Sequence, residues 1–164
     1  MKIISNFKTK QLLVKDAKKE EELITGNSDS SIEYFLKAIE EGHLPPNGCK
    51  ENYKILSIYE KERQKIIGIL ELYHGYPDDK VLWIGQLLIE ESRRKMGYGK
   101  EIIEILELEA KKCGFLKISI GVHLKNWSGI RFWKSVRFDK IIKVSGDFEY
   151  SKNTFAIMSL EKEL

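Results

Sequence analysis

A strand, a glycine-containing loop and a helix follow one another between Val81 and Cys113, and this succession constrains the fold more than any other part of the chain. Val81 to Ile89 is apolar nearly throughout, which is typical of a strand covered on both faces of a sheet. The loop that follows reads Arg93-Arg94-Lys95-Met96-Gly97-Tyr98-Gly99-Lys100. Its two glycines allow a tight turn and a close approach of the backbone to a ligand. A helix is predicted from about Gly99 to Cys113, and its first N–H groups add donors and a partial positive charge. Such a corner is suited to holding a pyrophosphate.

The elements on either side of this corner predict a mixed α/β domain. The order of elements is β-α-α-β-β-β-α-β-α-β-β, with about seven strands, about four helices and no linker that would divide residues 1–164 into two domains. The other predicted strands are Gln11–Val14, Tyr53–Tyr59, Lys65–Tyr73, Leu116–Val122, Arg137–Val144 and Thr154–Leu160. The other predicted helices are Lys18–Thr25, a helix that starts near Ser28 and ends at Gly42, and Asn126–Ser135.

Composition narrows the class of protein. The chain has 164 residues, of which 42% are hydrophobic and 32% are charged, as expected of a soluble globular domain. No apolar run approaches the roughly 20 residues that span a bilayer, and the N-terminal residues lack the pattern of a signal peptide. Cys49 and Cys113 do not form a metal-ligand pair and are interpreted as reduced thiols, so a cytoplasmic protein without a metal is expected. The net charge of +3 is spread among interleaved acids and bases, which does not indicate a nucleic-acid partner.

Two known phosphate-binding loops can be excluded at Gly97 and Gly99. A P-loop requires Ser or Thr after its lysine, whereas Lys100 is followed by Glu101. A dinucleotide-binding fingerprint requires a third glycine, and Ile102 occupies that position. The loop by itself leaves open a purely structural alternative, a glycine turn before a helix with solvated Arg and Lys side chains.

Two separate motifs resemble those of one protein family. Arg94-x-x-Gly97-x-Gly99 matches the Arg/Gln-x-x-Gly-x-Gly/Ala motif of the GCN5-related N-acetyltransferases, the GNAT family. The segment from Asn126 to Phe138 is similar to the family's Asn-x-x-Ala-x-x-Phe-Tyr-x-x-x-Gly-Phe motif. The order of elements also agrees, so the resemblance extends from about Phe7 to Leu160.

The resemblance implies a GNAT fold with splayed fourth and fifth strands, and transfer of an acetyl group from acetyl-CoA to a primary amine. The N–H groups of the glycine loop would hold the pyrophosphate, with the side chains of Arg93 and Lys95 as extra contacts. Backbone groups at the end of the fourth strand would pair with the pantetheine arm. The N–H of Leu88 or Ile89 would polarise the thioester carbonyl. Asn126 would contact the arm from the other side and also cap its own helix. The residues expected at acetyl-CoA are Leu87, Leu88, Ile89, Arg94, Lys95, Met96, Gly97, Tyr98, Gly99, Lys100, Asn126, Ser128, Phe132 and Trp133.

Several residues depart from the family pattern, among them Glu91, which stands at the position of a frequent proline. Trp133 stands where many members have a tyrosine that protonates the leaving thiolate, and an indole N–H cannot supply that proton. Arg137 stands at the usual glycine. The missing tyrosine keeps open a second function, a module that binds acetyl-CoA or CoA without turnover. A third alternative is a structural domain with a vestigial loop.

Amine acetylation needs a group that removes a proton from the acceptor. The candidates are Glu71, late in the third predicted strand, then His123 at the end of the fifth predicted strand, then His74. Each also has an ordinary interpretation as a solvated surface residue. The acceptor is expected to be a small-molecule or peptide amine, next to a surface containing Glu33, Tyr34, Glu40, Glu41, Asp78 and Asp79. A homodimer is an expected option, whereas nucleic acid and membrane are not expected partners.

Overall fold

The computed structural model describes residue 4, residues 6–18 and residues 37–164. The predicted helix Lys18–Thr25 and most of the helix that ends at Gly42 lie outside this part, although residues 37–40 are helical. The helices with defined limits are α1 (Tyr98–Lys112) and α2 (Trp127–Ser135). The strands are β1 (Phe7–Lys8), β2 (Leu12–Asp16), β3 (Tyr53–Glu60), β4 (Lys65–His74), β5 (Val81–Ile89), β6 (Lys117–His123), β7 (Lys140–Gly146) and β8 (Ala156–Glu163).

All eight strands form one sheet in the order β1-β2-β3-β4-β5-β6-β8-β7. Every neighbouring pair is antiparallel except β5 and β6, which run parallel because α1 connects them. The predicted single α/β fold with a mixed, mostly antiparallel sheet is confirmed. The count differs by one strand, because β1 has two residues and is too short to show a periodic pattern.

The predicted strand from Arg137 begins instead at Lys140. Arg137 has a left-handed backbone with φ of 69°, and Phe138 N–H still donates to Trp133 C=O at the end of α2. These residues therefore turn the chain out of the helix. The left-handed conformation also explains why a glycine would suit position 137.

The main core lies between one face of the sheet and the two helices. The predicted stripe of α1 supplies Ile102, Leu106 and Ala110, all fully buried. From α2, Trp133 enters the same core. A second, smaller cluster lies apart from it and contains Ala38, Tyr53, Ile55, Ile69 and Tyr73. The sheet is thus covered by apolar side chains on both faces, and the two faces have different residues available for function.

β5 separates from β6 halfway along its length. The parallel register pairs Val81–Ile84 with Lys117–Ile120. Beyond it, β5 continues to pair with β4, while the end of β6 continues to pair with β8. The register between β4 and β5 also shifts here, which leaves Gly85 as the extra residue of a β-bulge. The expectation of a fully covered strand therefore holds for the first half of β5, whereas Gly85 is exposed and the last four residues are half-buried.

Candidate active site

The second half of β5 presents backbone groups to the gap that separates it from β6. Glu90 N–H donates to Ile67 C=O over 2.7 Å, and hydrogen-bonding direction alternates along an antiparallel pair. Leu88 therefore directs its backbone groups to β4, whereas Leu87 and Ile89 direct theirs to the gap. The contact of 3.0 Å from Arg94 Nε to Ile89 C=O agrees with this direction. Of the two N–H groups expected to polarise a thioester, that of Ile89 faces the gap and that of Leu88 does not.

The glycine loop after β5 leads directly into α1, and the first turn of this helix is accessible to a ligand. Gly97 is the N-cap of α1, has a φ of 88° and provides no side chain to cap the first turn. The first hydrogen bond of the helix runs from Glu101 N–H to Gly97 C=O at 3.1 Å, so the N–H groups of Tyr98, Gly99 and Lys100 precede the helical ladder. A Cβ added at Gly97 would meet no atom within 4 Å. An anion can thus approach the first turn of α1 from this side.

Glu60 of β3, which was not among the predicted site residues, anchors two side chains of this loop. Tyr98 Oη donates to Glu60 Oε1 over 3.1 Å, and Arg93 Nη2 lies 3.5 Å from Glu60 Oε2. Both Tyr98 and Glu60 are buried. Burial, followed by the hydrogen bond to Glu60, raises the pKa of Tyr98. Arg93, expected as an extra phosphate contact, is therefore an anchor of the loop, and Tyr98 can offer a ligand its backbone only.

The two sequence motifs meet at the start of α1. A Cβ added at Gly99 would lie 3.0 and 3.1 Å from two ring atoms of Phe132 on α2. Asn126 Oδ1 accepts hydrogen bonds from Gly129 N–H at 2.8 Å and from Ser128 Oγ at 3.0 Å, so its capping role is present. Trp133 is buried, and its ring centroid lies 5.0 Å from that of Phe132. Trp133 therefore packs in the core beneath the half-buried Phe132.

Glu71 lies on the opposite face of the sheet from the main core, beside the bulge of β5. Its side chain is 1% exposed, and it pairs in register with Ile55 on β3 and Gln86 on β5. A Cβ added at Gly85 would lie 3.3 Å from both Cβ and Oε2 of Glu71. The glycine in the bulge thus makes room for a buried carboxylate in the middle of the sheet.

His43, which was not among the predicted site residues, contacts this carboxylate. Its Nδ1 lies 3.2 Å from Glu71 Oε2, although the two residues are 28 positions apart. The His43 ring also packs edge-on against Tyr53 of β3, with the ring centroids 6.5 Å apart. No periodic pattern or motif connects a loop histidine to a strand carboxylate, so the pair has no signal in the sequence.

The other two candidates for the base lie elsewhere. His123 is exposed at the end of β6, where its ring contacts Phe155 at a centroid distance of 4.1 Å. His74 lies three residues after Glu71 and so points to the opposite face of β4, where its ring lies 6.1 Å from Phe115 in the main core. Burial, and then the charge of the N-terminus, lower the pKa of His74, against the influence of Asp79. The structure does not bring these two histidines to Glu71.

Several of the acids expected to face the acceptor have local partners. Glu41 lies 4.0 Å from Lys37, and Asp78 Oδ1 accepts from Lys80 N–H at 2.6 Å. Glu33 and Tyr34 lie outside the described residues. The acidic surface stays a prediction.

Among residues 4, 6–18 and 37–164, no group of three or more His, Cys, Asp or Glu side chains is placed to hold a metal ion. In the same part of the chain, no helix is both long enough and apolar enough to cross a membrane.

The model of the acetyltransferase (GNAT) family matches residues 17–138. The chain belongs to this family, as its two motifs predicted. No curated protein sequence matches it.

Solved structures with the same fold cover nearly the whole chain. An IAA acetyltransferase from Bacillus cereus ATCC 14579 has a TM-score of 0.66 and 16% identity, over 93% of this chain and 99% of that one. A GNAT family acetyltransferase from Elizabethkingia anophelis with acetyl-CoA bound has a TM-score of 0.65 and 15% identity, over 94% and 99%. The spermidine/spermine N-acetyltransferase SpeG from Vibrio cholerae has a TM-score of 0.62 and 12% identity, over 93% and 92%. At these identities the likeness concerns the fold.

Proposed function

We propose that this chain transfers the acetyl group of acetyl-CoA to a primary amine of a small molecule or a peptide. The observation that carries the proposal is the gap between β5 and β6, which opens beside the first turn of α1. The backbone groups of Leu87 and Ile89 face the gap, and the loop from Arg94 to Lys100 lies at the end of the gap. The arrangement offers backbone donors and acceptors to an extended arm and an anion site to its far end.

The residues present fit acetyl-CoA. Gly97 leaves open space in front of the helix start, where N–H groups of the loop would hold the pyrophosphate. The gap-facing backbone of Leu87 and Ile89 would pair with the pantetheine arm, with Asn126 and Phe132 on the side of α2. When bound, acetyl-CoA supplies an acetyl group activated as a thioester.

The protein residues would then have two tasks at the acetyl end. The N–H of Ile89 would stabilise negative charge on the acetyl oxygen, since an oriented backbone donor needs no reorganisation. On the face of the sheet that lies opposite the main core, the carboxylate of Glu71 would favour removal of a proton from the acceptor amine. Trp133 is packed in the core and has no acidic proton to give, so solvent would protonate the thiolate.

Two measurements test the proposal. Isothermal titration calorimetry should detect binding of acetyl-CoA. A thiol-release assay should then detect CoA in the presence of at least one amine from a panel of spermidine, tyramine, tryptamine and a tripeptide with a free N-terminus, and mass spectrometry should show an added acetyl group. Binding without release of CoA with every amine would contradict the proposed activity.

Burial of Trp133 specifically favours a second function, an acetyl-CoA or CoA-binding module without turnover. Trp133 occupies the position of the family's proton donor but contacts Phe132 and Phe138. Tight binding of CoA together with the absence of acetylation would favour this module. Absence of heat with either ligand would contradict both functions and favour a structural domain. A homodimer stays a prediction, which sedimentation equilibrium would test.

A further inference from the structure

We propose that His43 is the group that takes the proton from the acceptor amine, and that Glu71 is a positioning residue that acts through it. This inference rests on the proposed acetyltransferase function and identifies its base. It starts from the 3.2 Å contact between His43 Nδ1 and Glu71 Oε2.

Exposure distinguishes the two members of the pair. The side chain of Glu71 is 1% exposed, whereas that of His43 is 30% exposed. A general base must come within hydrogen-bond distance of the proton that it removes. His43 lies between the buried carboxylate and the surface and can meet that requirement, whereas Glu71 is enclosed by β3, β5 and the His43 ring.

The carboxylate also selects the basic nitrogen of His43. An ionised carboxylate only accepts hydrogen bonds, so Nδ1 must be the donor in this contact. A neutral ring with its proton on Nδ1 has its lone pair on Nε2. An imidazole that is held in one tautomer by a carboxylate is a suitable general base near neutral pH.

The surroundings hold the ring in place. Gly42 has a φ of 78°, and a Cβ added there would lie 3.1 Å from atoms of both Leu44 and Tyr53. The loop therefore packs closely on Tyr53, against which the His43 ring stands edge-on. Glu71 of β4 and Tyr53 of β3 are titratable groups that contact His43.

The proposed transfer moves one proton from the acceptor to His43. An N–H bond of the acceptor ammonium breaks, its electron pair stays on nitrogen, and the proton binds Nε2 of His43. The ring becomes an imidazolium ion whose charge is opposed by the carboxylate of Glu71. The freed electron pair then forms the C–N bond to the acetyl carbon, and the C–S electron pair leaves on sulfur. The acetylated nitrogen loses its second proton to solvent, which gives the neutral amide, and solvent protonates the thiolate.

The first test is the tautomer and needs no turnover. In ¹⁵N spectra of the protein at neutral pH, His43 should carry its proton on Nδ1, and the Glu71→Met variant should lose this preference. Observation of the Nε2-protonated ring in the unmodified protein would overturn the inference.

The second test is kinetic. His43→Gln should lower kcat by at least about 10²-fold, remove the acidic limb of the pH–rate profile and leave acetyl-CoA affinity within twofold. Imidazole added to His43→Ala should restore part of the rate, which a purely structural role of His43 would not predict. Glu51→Gln, at an exposed residue of the 3-10 helix Lys50–Asn52, is the control for a glutamine introduced elsewhere and should leave the rate unchanged.

The outcomes separate this inference from the proposed function. Full activity of His43→Gln across pH would overturn the base assignment while acetyl transfer stands. Failure of the unmodified protein to acetylate any amine in the panel would overturn both.

Discussion

The two sides of β5 are built in different ways. On the side of the gap, the groups offered to a ligand are backbone groups from one continuous stretch, Leu87 to Lys100. On the side of Glu71, they are side chains that come from a loop and a strand 28 residues apart. A helix start and two glycines define an anion site locally, because N–H positions follow from backbone conformation. A proton-handling pair requires two side chains to meet, which only packing can arrange.

The largest expected effect concerns the side of β5 that faces the gap, and it is measured by comparing two glycines that flank α1. Gly97 and Gly114 stand at opposite ends of the helix, both have a left-handed φ, and neither has an atom within 4 Å of an added Cβ. Gly97→Val should weaken acetyl-CoA binding by more than about 100-fold, equivalent to roughly 2.7 kcal/mol, because its side chain would fill the approach to the first turn. Calorimetry measures this affinity.

Gly114→Val is the matched control for this change. It carries similar backbone strain, about 1–2 kcal/mol, and should leave affinity unchanged. Equal loss of binding in both variants would show that helix stability, and not access to the loop, governs the result.

The second effect tests the other side of β5. Glu71→Gln keeps the size of the side chain and removes its charge, so kcat should fall by about 10²-fold while acetyl-CoA affinity stays within twofold. Steady-state rates and calorimetry together give this separation. Rates equal to those of the unmodified protein at every pH would remove Glu71 from the mechanism.

A smaller effect concerns how the loop is anchored. Tyr98→Phe removes the hydrogen bond to the buried Glu60, which should lower the free energy of unfolding by about 1–3 kcal/mol. Urea titration measures this change. Tyr150→Phe alters an exposed ring and should leave the unfolding midpoint where it is. A Tyr98→Phe midpoint equally unchanged would contradict an anchoring role.

The smallest effect concerns the end of α2. Arg137 has a φ of 69° and an exposed side chain whose ion pair with Asp139 is long, at 4.0 Å. Arg137→Gly should raise the free energy of unfolding by about 0.5–1 kcal/mol, since glycine adopts this backbone without strain but gains entropy when unfolded. Arg137→Ala keeps the strain and should not stabilise. A gain of equal size in both variants would mean that the charge, and not the backbone, is responsible.

Strong periodic patterns predicted most elements closely. The limits of β5 are those expected from its apolar run, and α1 and α2 differ from prediction by about one residue at an end. The stripe of α1 is buried because residues at helical spacing share one face. The errors in predicted strands occur where the sequence pattern is weak. β1 is too short to show a periodic pattern. β7 starts later than predicted because Arg137 and Phe138 continue the turn of α2.

The residues of the candidate site also differ in whether a local sequence pattern indicates them. Gly97, Gly99 and Asn126 could be selected because a loop before a helix and a residue that caps one are local features. Glu60 could not be selected as the partner of Tyr98 and Arg93, since strand carboxylates are common and nothing local indicates burial. The bulge at Gly85 also lacked a signal, because it depends on the register of two strands.

The sequence by itself determined the order of elements from β3 onwards, the family and the loop that is suited to a pyrophosphate, since backbone conformation follows from neighbouring residues. Only the tertiary structure decided that β5 leaves β6 after Ile84, that Leu87 and Ile89 face the gap, and that His43 meets Glu71. Each of these depends on strand register or on contacts between distant segments. Such contacts form through the packing of the whole sheet, which no single stretch of residues specifies.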